Sequence, residues 1–244
     1  MRTLHKPGAP RRLHGASRLA ADEIIWVFDL DNTLHDSSRA LFKAIDHAMG
    51  AAVATILDVD AETANRLRSS YWKRYGATVI GMVRHHGVDA KAFLDLSHQF
   101  AIAPLVHSET SLAYKLKQLR GRKVLLTNAP LKYTREVLKT LKILHLFESL
   151  WTIDEMNLQG RIRPKPSLAL MRQVQARLGV PAHQIVLVED TLKNLKSARQ
   201  AGMKTIHIFH PGTPFSSLHN GRSNYVDLRI HSFGKLLGSH RALR

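Results

Sequence analysis

The sequence predicts an α/β fold, in which a doubly wound, Rossmann-like parallel sheet carries a small all-helical domain inserted after the first strand. Three observations support this prediction. Residues 24–28 form an apolar, partly β-branched run, which is typical of a strand buried on both faces. Residues 37–104 show the apolar spacing of helices. From residue 105 to residue 210, strand-like runs alternate with helical ones, as in a parallel sheet with right-handed crossovers.

The helical stretch begins after the first strand and its turn. Its first apolar side chains recur every three or four residues, as one buried helix face requires; they are Leu41, Ile45, Ala48, Ala52 and Ile56. Asp60 is a suitable N-cap for a helix over 61–75, and Asp89 for a helix over 90–100. Between these helices, three glycines at positions 76, 81 and 87 are expected to interrupt regular structure.

The alternating part of the chain predicts four helices and four strands. The helices are expected at 111–120, 132–141, 168–178 and 193–201, and the strands at 123–127, 150–153, 185–188 and 204–209. The strand at 204–209 is expected to be the last of the core. Gly121 is a suitable left-handed C-cap for the first of these helices.

The composition predicts a sizeable core. Of the 244 residues, 44% are hydrophobic, which suffices for one main core and a smaller satellite domain. No apolar run approaches the roughly 20 residues that a membrane-spanning helix needs, so we expect a soluble protein with no membrane partner. The chain has no cysteine, which excludes disulfides and a zinc–thiolate site and fits a cytoplasmic location.

The charge is strongly positive, with basic segments at both ends. The chain has 36 Lys and Arg against 19 Asp and Glu, a net charge of +17. Residues 1–22 are predicted to be a disordered basic arm, although an organelle transit peptide has a similar composition. Residues 211–244 are predicted to be a basic segment that packs on the core or trails from it. Such charge favours weak, salt-sensitive polyanion binding, or simply a solvated surface that attracts small phosphorylated substrates.

Two carboxylates, Asp29 and Asp31, follow the first strand, and Asn32 and Thr33 come next. Acids are costly to desolvate, but the carboxyl ends of parallel strands line the ligand crevice of an open α/β sheet, where a cation can stabilise them. We therefore expect chemistry at this position. The structural alternative is a strand end followed by an Asx-type turn.

Further polar residues follow later strands and are expected to lie beside these two acids. Thr127 and Asn128 end a strand, where a hydroxyl and backbone N–H groups can hold phosphate oxygens, although a plain turn explains them equally well. Lys165 lies between two prolines, and its ammonium can balance phosphoryl charge. Glu189 and Asp190 end another buried strand, and hard oxygen ligands from two strands favour Mg²⁺.

In order and spacing, these residues resemble the four motifs of the haloacid dehalogenase-like (HAD) phosphohydrolases over residues 24–209. The resemblance implies a catalytic core over 23–36 and 105–210 and a mobile helical cap over 37–104. It implies that Asp29 is the nucleophile, Asp31 the general acid and base, Thr127, Asn128 and Lys165 the phosphate-binding residues, and that Asp29, Asp190, Glu189 and the Asp31 carbonyl hold Mg²⁺. Lys165 would also stabilise charge in catalysis.

Two details of this implied site stay open. Many relatives have Asp where this chain has Glu189, so contact of Glu189 with the metal is either direct or through water. Asn194, one turn into the next helix, either orients the acids or lies on the surface, which is the commoner case for asparagine.

The implied roles define a reaction. Asp29 attacks the phosphate to form an aspartyl-phosphate intermediate, while Asp31 protonates the leaving alcohol and later takes a proton from water. Haloacid dehalogenases lack an acid at the Asp31 position because a leaving halide needs no proton. Asp31 therefore favours phosphate chemistry over carbon–halogen cleavage.

Within the insertion, residues 71–86 resemble the cap of the pyrimidine 5'-nucleotidase family, which implies that Tyr75, Arg84 and His85 contact the substrate. An aromatic ring can stack on a base, and Arg84 or His85 can hydrogen-bond to a base or sugar. Alternatively, the aromatic residues of this segment only pack the small helical domain. The other histidines show no metal-ligand spacing and are expected on the surface.

The sequence therefore predicts a Mg²⁺-dependent phosphatase acting on a small phosphorylated metabolite, with a pyrimidine nucleoside 5'-monophosphate as the first choice. Phosphoglycolate phosphatase and β-phosphoglucomutase activities share the same motifs and are the alternatives. An alternative of another class is a basic nucleic-acid-binding protein on an inactive phosphatase scaffold. The intact acids argue against this alternative, since an inactive site has no physical reason to keep buried carboxylates, which are costly to desolvate.

Overall fold

A computed structural model describes residues 24–209 and 223–239. The predicted basic arm at 1–22 lies outside the described residues, as does part of the basic segment at 211–244. Among the helices of the described ranges, none combines the length and the apolar character needed to cross a bilayer.

Six strands form one parallel sheet, which confirms the predicted fold class. The strands of the chain are β1 (Ile25–Phe28), β2 (Arg122–Leu126), β3 (Ser149–Trp151), β4 (Asn157–Leu158), β5 (Arg161–Ile162), β6 (Ile185–Glu189), β7 (Lys204–Ile208) and β8 (Leu228–Ile230). The sheet order is β3-β2-β1-β6-β7-β8, while β4 and β5 pair as a separate antiparallel hairpin. In register, Phe28 lies opposite Leu125 on one side and Val188 on the other, so the carboxyl ends of β1, β2 and β6 are level.

Nine helices accompany these strands in the described ranges. They are α1 (Leu41–Leu57), α2 (Ala61–Tyr75), α3 (Thr78–His86), α4 (Ala90–Ser97), α5 (Leu112–Gln118), α6 (Leu131–Thr140), α7 (Leu168–Leu178), α8 (Leu192–Gln200) and α9 (Phe233–Ser239). The predicted N-caps are confirmed, because Asp60 accepts from the Thr63 N–H at 2.8 Å and Asp89 from the Ala92 N–H at 2.7 Å.

Alternate residues of β1 point to opposite faces of the sheet and enter two separate apolar cores. Trp26 and Phe28 pack with side chains of α5, α6 and α9. Ile25 and Val27 pack with side chains of α7 and α8. A strand buried on both faces explains the unbroken apolar run in the sequence.

Helices α1–α4 form a layer with an apolar core of its own, built around side chains such as Val53, Met82 and Phe93. Ile153 and Ile162, from the segment between β3 and α7, join this core. The helical insertion therefore rests on the part of the main domain that leads into Lys165.

The prediction around the three glycines was partly wrong, because α3 runs straight through Gly81. A Cβ atom on Gly81 would lie 2.1 Å from the Cγ atom of Tyr71, so the glycine allows α2 and α3 to approach closely. Gly76 and Gly87 end α2 and α3 in the left-handed conformation, with φ of 82° and 64°.

The prediction of the last core strand was also wrong, since β8 adds one more strand beside β7. Ile230, Phe233 and Leu236 bury their side chains in the same core as Trp26, so residues 223–239 pack on the core. A three-residue strand and a seven-residue helix are too short to show a periodic pattern. The predicted helix end at Gly121 was wrong as well, because α5 stops at Gln118 with Leu119 as its extended C-cap.

Candidate active site

The predicted catalytic residues gather at the carboxyl end of the sheet. Asp29 follows β1 directly, and its N–H donates to the Val188 carbonyl at 3.0 Å. Thr127 follows β2 and donates in the same way to the Trp151 carbonyl at 2.9 Å. Glu189 is the last residue of β6. Because parallel strands end at the same edge, residues far apart in the sequence meet here.

A buried ammonium joins two of the predicted acids. Lys165, from the loop between β5 and α7, donates from Nζ to Asp29 Oδ1 at 2.6 Å and to Glu189 Oε2 at 2.7 Å. All three side chains are at least nine-tenths buried. Ion pairs in such an environment are strong only when their geometry is well defined, and here one cation bridges two strands.

The charges around Lys165 do not balance. Burial and the Glu189 carboxylate raise the pKa of Asp29 to about 8, although Lys165 opposes this shift. Burial and Glu189 also raise the pKa of Asp190 well above its usual range. Burial would raise the pKa of Glu189 too, but Lys165 and the hydrogen bonds from Asp190 and the Thr191 N–H together outweigh burial and lower that pKa. Three carboxyl groups thus share one ammonium, and the raised pKa values show that Lys165 alone does not balance their charges when all three are ionised.

This imbalance and the type of donor fit a divalent cation. Carboxylate oxygens of Asp29, Glu189 and Asp190 all lie within 4.8 Å of one another. Mg²⁺ prefers hard oxygen ligands and is typically held by one or two carboxylates together with water and substrate phosphate. The residues present could therefore hold Mg²⁺ as the sequence predicts.

Glu189 is held by protein donors on both oxygens. Asn194 donates from Nδ2 to Oε2 at 3.0 Å, and the Thr191 N–H donates to Oε1 at 3.1 Å. Asn194 is buried and orients Glu189, which is the first of the two alternatives predicted for it; it does not lie on the surface. With Lys165 also bound to Oε2, Glu189 has a fixed orientation.

Asn128 ties the end of β2 to the Lys165 loop. Its side-chain Nδ2 donates to the Lys165 carbonyl at 3.0 Å, and its Oδ1 accepts from the Lys165 N–H at 2.9 Å. The neighbouring Thr127 hydroxyl is buried and accepts from the Ala129 N–H at 3.1 Å, which leaves its own hydrogen available to a ligand. The amide of Asn128 thus positions Lys165.

Asp31 has three partners that the sequence reasoning missed. Its Oδ1 accepts hydrogen bonds from the Tyr133 hydroxyl at 2.6 Å, the Ser37 hydroxyl at 2.8 Å and His35 Nε2 at 3.0 Å. Burial would raise the pKa of Asp31, but the hydrogen bonds from His35, Tyr133 and Ser37 outweigh it and lower that pKa. His35 lies four residues after Asp31 in the same turn, a spacing that could have indicated this contact.

The prediction that the remaining histidines lie on the surface was wrong for His35 and His207, which are both buried. His35 binds the Asp31 carboxylate, and His207 Nε2 is hydrogen-bonded to the Asp190 carbonyl at 3.0 Å. Polar side chains of this kind are buried when a nearby partner satisfies them, which composition alone does not reveal.

The predicted substrate residues of the insertion lie close to one another, and Tyr75 precedes a glycine that touches the Lys165 loop. A Cβ atom on Gly76 would stand 3.0 Å from the Lys165 carbonyl oxygen, so the end of α2 touches this loop. The Tyr75 hydroxyl and His85 Nε2 are hydrogen-bonded at 2.7 Å, and the Arg84 guanidinium lies 5.7 Å from the centre of the Tyr75 ring.

The aromatic residues of this segment differ in burial. Tyr71 is buried and stacks on His85 with 5.4 Å between ring centres, so it packs the helical layer. Trp72 is 51% exposed. Tyr75 is half-buried, and the Arg74 guanidinium lies 5.4 Å from the centre of its ring, in addition to Arg84. The ring of Tyr75 is therefore flanked by two cations.

Comparison with known sequences identifies relatives over most of the chain. A family model described as haloacid dehalogenase-like hydrolase matches residues 26–208. A phosphoglycolate phosphatase of Pseudomonas fluorescens is 27% identical over 207 residues, covering 78% of this chain and 72% of that protein. A glyceraldehyde 3-phosphate phosphatase of Methanopyrus kandleri is 28% identical over 201 residues, covering 75% and 82%.

Comparison with solved structures shows the same fold. A HAD phosphatase from Thermococcus onnurineus superposes with a TM-score of 0.59 at 20% identity, covering 87% of this chain and 95% of that chain. CbbY from Rhodobacter sphaeroides, in complex with phosphate, gives a TM-score of 0.59 at 17% identity, with 88% and 96% covered.

Proposed function

The chain belongs to the haloacid dehalogenase-like hydrolase family, and from this premise we propose that it is a phosphatase that hydrolyses small phosphate monoesters through an aspartyl-phosphate intermediate. One observation carries the proposal: the Lys165 ammonium contacts the Asp29 carboxylate at 2.6 Å, at the end of the central strand. A carboxylate beside a fixed cation is suited to accept a phosphoryl group, because the cation offsets the charge of the phosphate.

The reaction has two steps. In the first, an Asp29 oxygen forms a bond to phosphorus as the bond from phosphorus to the ester oxygen breaks, and Asp31, which must enter this step protonated although its pKa is lowered, gives its proton to the leaving alcohol. In the second, water attacks the phosphorus of the aspartyl phosphate, the bond from phosphorus to the Asp29 oxygen breaks and inorganic phosphate leaves, while Asp31 takes a proton from that water and so regains its protonated form. The Thr127 hydroxyl and the backbone N–H of Asn128 hold phosphate oxygens.

Mg²⁺ is the cofactor in this proposal. We assign Asp29, Asp190 and the Asp31 carbonyl as its protein ligands, and Glu189 a contact through water, because both Glu189 oxygens already accept hydrogen bonds from the protein. When bound, Mg²⁺ screens the repulsion between the Asp29 carboxylate and the phosphate. An acid at position 31 serves an alcohol leaving group and has no use with a halide, which supports phosphate over carbon–halogen chemistry.

The substrate expected from the sequence, a nucleoside 5'-monophosphate, is one candidate within this proposal. Its support is that Tyr75, which precedes the glycine touching the Lys165 loop, contacts His85 and Arg84, so that an aromatic ring and hydrogen-bond donors lie together.

A small ester with two anionic groups, a phosphate and a carboxylate, such as phosphoglycolate, is the second candidate. Its support is that Arg74 and Arg84 both lie on the Tyr75 ring, which surrounds the aromatic surface with cations rather than leaving it open to a base. The relatives named phosphoglycolate phosphatase favour the same class.

The test is a phosphate-release assay of the full chain with Mg²⁺ on a panel of nucleoside monophosphates, phosphoglycolate, triose phosphates and hexose phosphates. We expect release from at least one member, abolished by Asp29→Asn and by a chelator. Unchanged release in either case would contradict the proposal. Isomerisation of a hexose phosphate without release would indicate a mutase instead.

Polyanion binding is a second candidate function that one surface favours. Five side chains along α2 line one groove, and three of them are cationic: Arg66, Ser69, Ser70, Lys73 and Arg74. A basic helix face of this kind attracts phosphate backbones. RNA affinity that falls steeply with salt and is lost when Arg66 and Lys73 are changed to Glu would support it, while affinity insensitive to both changes would exclude it.

A further inference from the structure

We propose that Tyr133 is a positioning residue for proton transfer, and that with His35 and Ser37 it fixes Asp31 by one carboxylate oxygen and leaves the other free for the substrate. The inference rests on the proposed function, since it takes Asp31 as the acid and base of phosphate-ester hydrolysis. We call the three donors, Tyr133, His35 and Ser37, the Asp31 clamp.

The clamp acts on a single atom. All three donors reach Asp31 Oδ1, at 2.6 Å from Tyr133, 2.8 Å from Ser37 and 3.0 Å from His35. A carboxylate oxygen has two lone pairs, so three donors saturate it. Within residues 24–209 and 223–239, Oδ2 accepts no hydrogen bond, and the Asp31 side chain keeps 19% of its surface exposed. Oδ2 is therefore the oxygen left to exchange a proton with a substrate.

Tyr133 differs from the other two donors in where it is anchored. His35 and Ser37 lie in the same loop as Asp31, whereas Tyr133 lies 102 residues away, on α6. It is 1% exposed, and His98 packs edge-on against its ring at 5.5 Å. A buried tyrosine needs a partner for its hydroxyl, and here the partner is the acid of the reaction. Tyr133 thus ties the Asp31 carboxylate itself to a separate helix of the core.

The leaving group of the substrate separates this role from simple packing. An alkyl alcohol is a poor leaving group and needs a proton from Asp31 as its bond to phosphorus breaks. The p-nitrophenolate ion leaves as an anion and gains little from that proton. A misplaced Asp31 should therefore slow alkyl esters selectively, while a general loss of packing slows both kinds of ester equally.

The experiment compares Tyr133→Phe with the unaltered chain on two substrates with Mg²⁺: the best alkyl phosphate of the panel above, and p-nitrophenyl phosphate. We expect kcat/KM on the alkyl ester to fall about tenfold or more and kcat/KM on the aryl ester to change less than about threefold, since general acid catalysis contributes about 10²–10⁴. Ser37→Ala removes another donor to the same oxygen and should shift the two substrates in the same direction, which keeps the test open should Tyr133→Phe fold poorly.

Two further variants make each outcome decisive. Tyr114→Phe, the same change at a tyrosine that is 63% exposed on α5, should leave both rates unchanged. Asp31→Asn should lower kcat/KM, which reports the first step only, more on the alkyl ester than on the aryl ester. If it affects both substrates equally, or if the unaltered chain hydrolyses no ester, the proposed function itself fails. The clamp proposal is overturned if Asp31→Asn slows the alkyl ester more than the aryl ester while Tyr133→Phe and Ser37→Ala slow the two esters equally or not at all.

Discussion

The link between Asn128 and Lys165 makes a quantitative prediction. Asn128→Ala removes two hydrogen bonds, at 3.0 and 2.9 Å, and leaves the carbonyl and the N–H of Lys165 unpaired in a partly buried position. Each such bond is worth about 0.5–1.5 kcal/mol, and unpaired groups add to the cost, so we expect the free energy of unfolding to fall by about 2–3 kcal/mol. For a chain of this size, that corresponds to a melting temperature lower by about 4–12 °C.

The activity should fall as well, because the Lys165 ammonium loses its fixed approach to Asp29. Urea or thermal unfolding followed by circular dichroism measures the first effect, and phosphate release measures the second. Asn157→Ala, at an exposed asparagine of β4, is the matched control and should change stability by less than about 0.5 kcal/mol. Unfolding of Asn128→Ala that matches the unaltered chain would refute the reasoning, and an unchanged stability with a raised KM would show that Asn128 binds phosphate through its side chain.

Three further predictions test other parts of the molecule. Asp29→Asn should lower kcat by at least about 10³-fold without lowering the melting temperature, because the new side chain has the same shape and reduces the charge imbalance of the site. Phe233→Ala should lower the free energy of unfolding by about 3–5 kcal/mol, because the ring is fully buried in the core. Burial lowers the pKa of His98, although the Leu94 carbonyl and the charges of Asp31 and Asp154 oppose this shift. As pH falls, the unfolded chain therefore binds a proton at His98 before the folded chain does, which lowers the free energy of unfolding. His98→Gln should reduce this loss of stability below pH 6.5.

Each of these has a direct check. Phosphate release with a circular dichroism melt tests Asp29→Asn, and retained turnover would contradict it. Lys235→Ala, exposed on the same helix as Phe233, is its control in urea unfolding and should be neutral. For His98, melting temperatures of the variant and the unaltered chain at pH 7.5 and 5.5 should converge or cross as pH falls; a constant difference would contradict the assignment.

The sequence was sufficient where local pattern determines structure. The apolar run before Asp29 predicts a strand buried on both faces, and Asp60 and Asp89 are the N-caps that their side chains and positions indicate. Acids at strand ends also predict where charged groups converge, because parallel strands share one edge, and Lys165 does contact Asp29 there.

The sequence was insufficient where a residue acts through a distant partner. Tyr133 and Asp31 are 102 residues apart, and nothing local distinguishes Tyr133 from any tyrosine on the buried face of a helix. Asn128 reads equally well as a turn residue or a phosphate ligand until its two bonds to Lys165 are seen. Gly81 reads as a helix interruption because the tyrosine ring that requires it belongs to another helix.

The pairing of β1 has a consequence for how the protein is made. Ile25 pairs with Arg122 and with Ile185, so the middle strand of the sheet gains its second neighbour only after most of the chain has left the ribosome. Long-range pairing of this kind slows folding. Until β6 emerges, the nascent chain exposes one edge of its most apolar strand, and this interval is when a chaperone would be most needed.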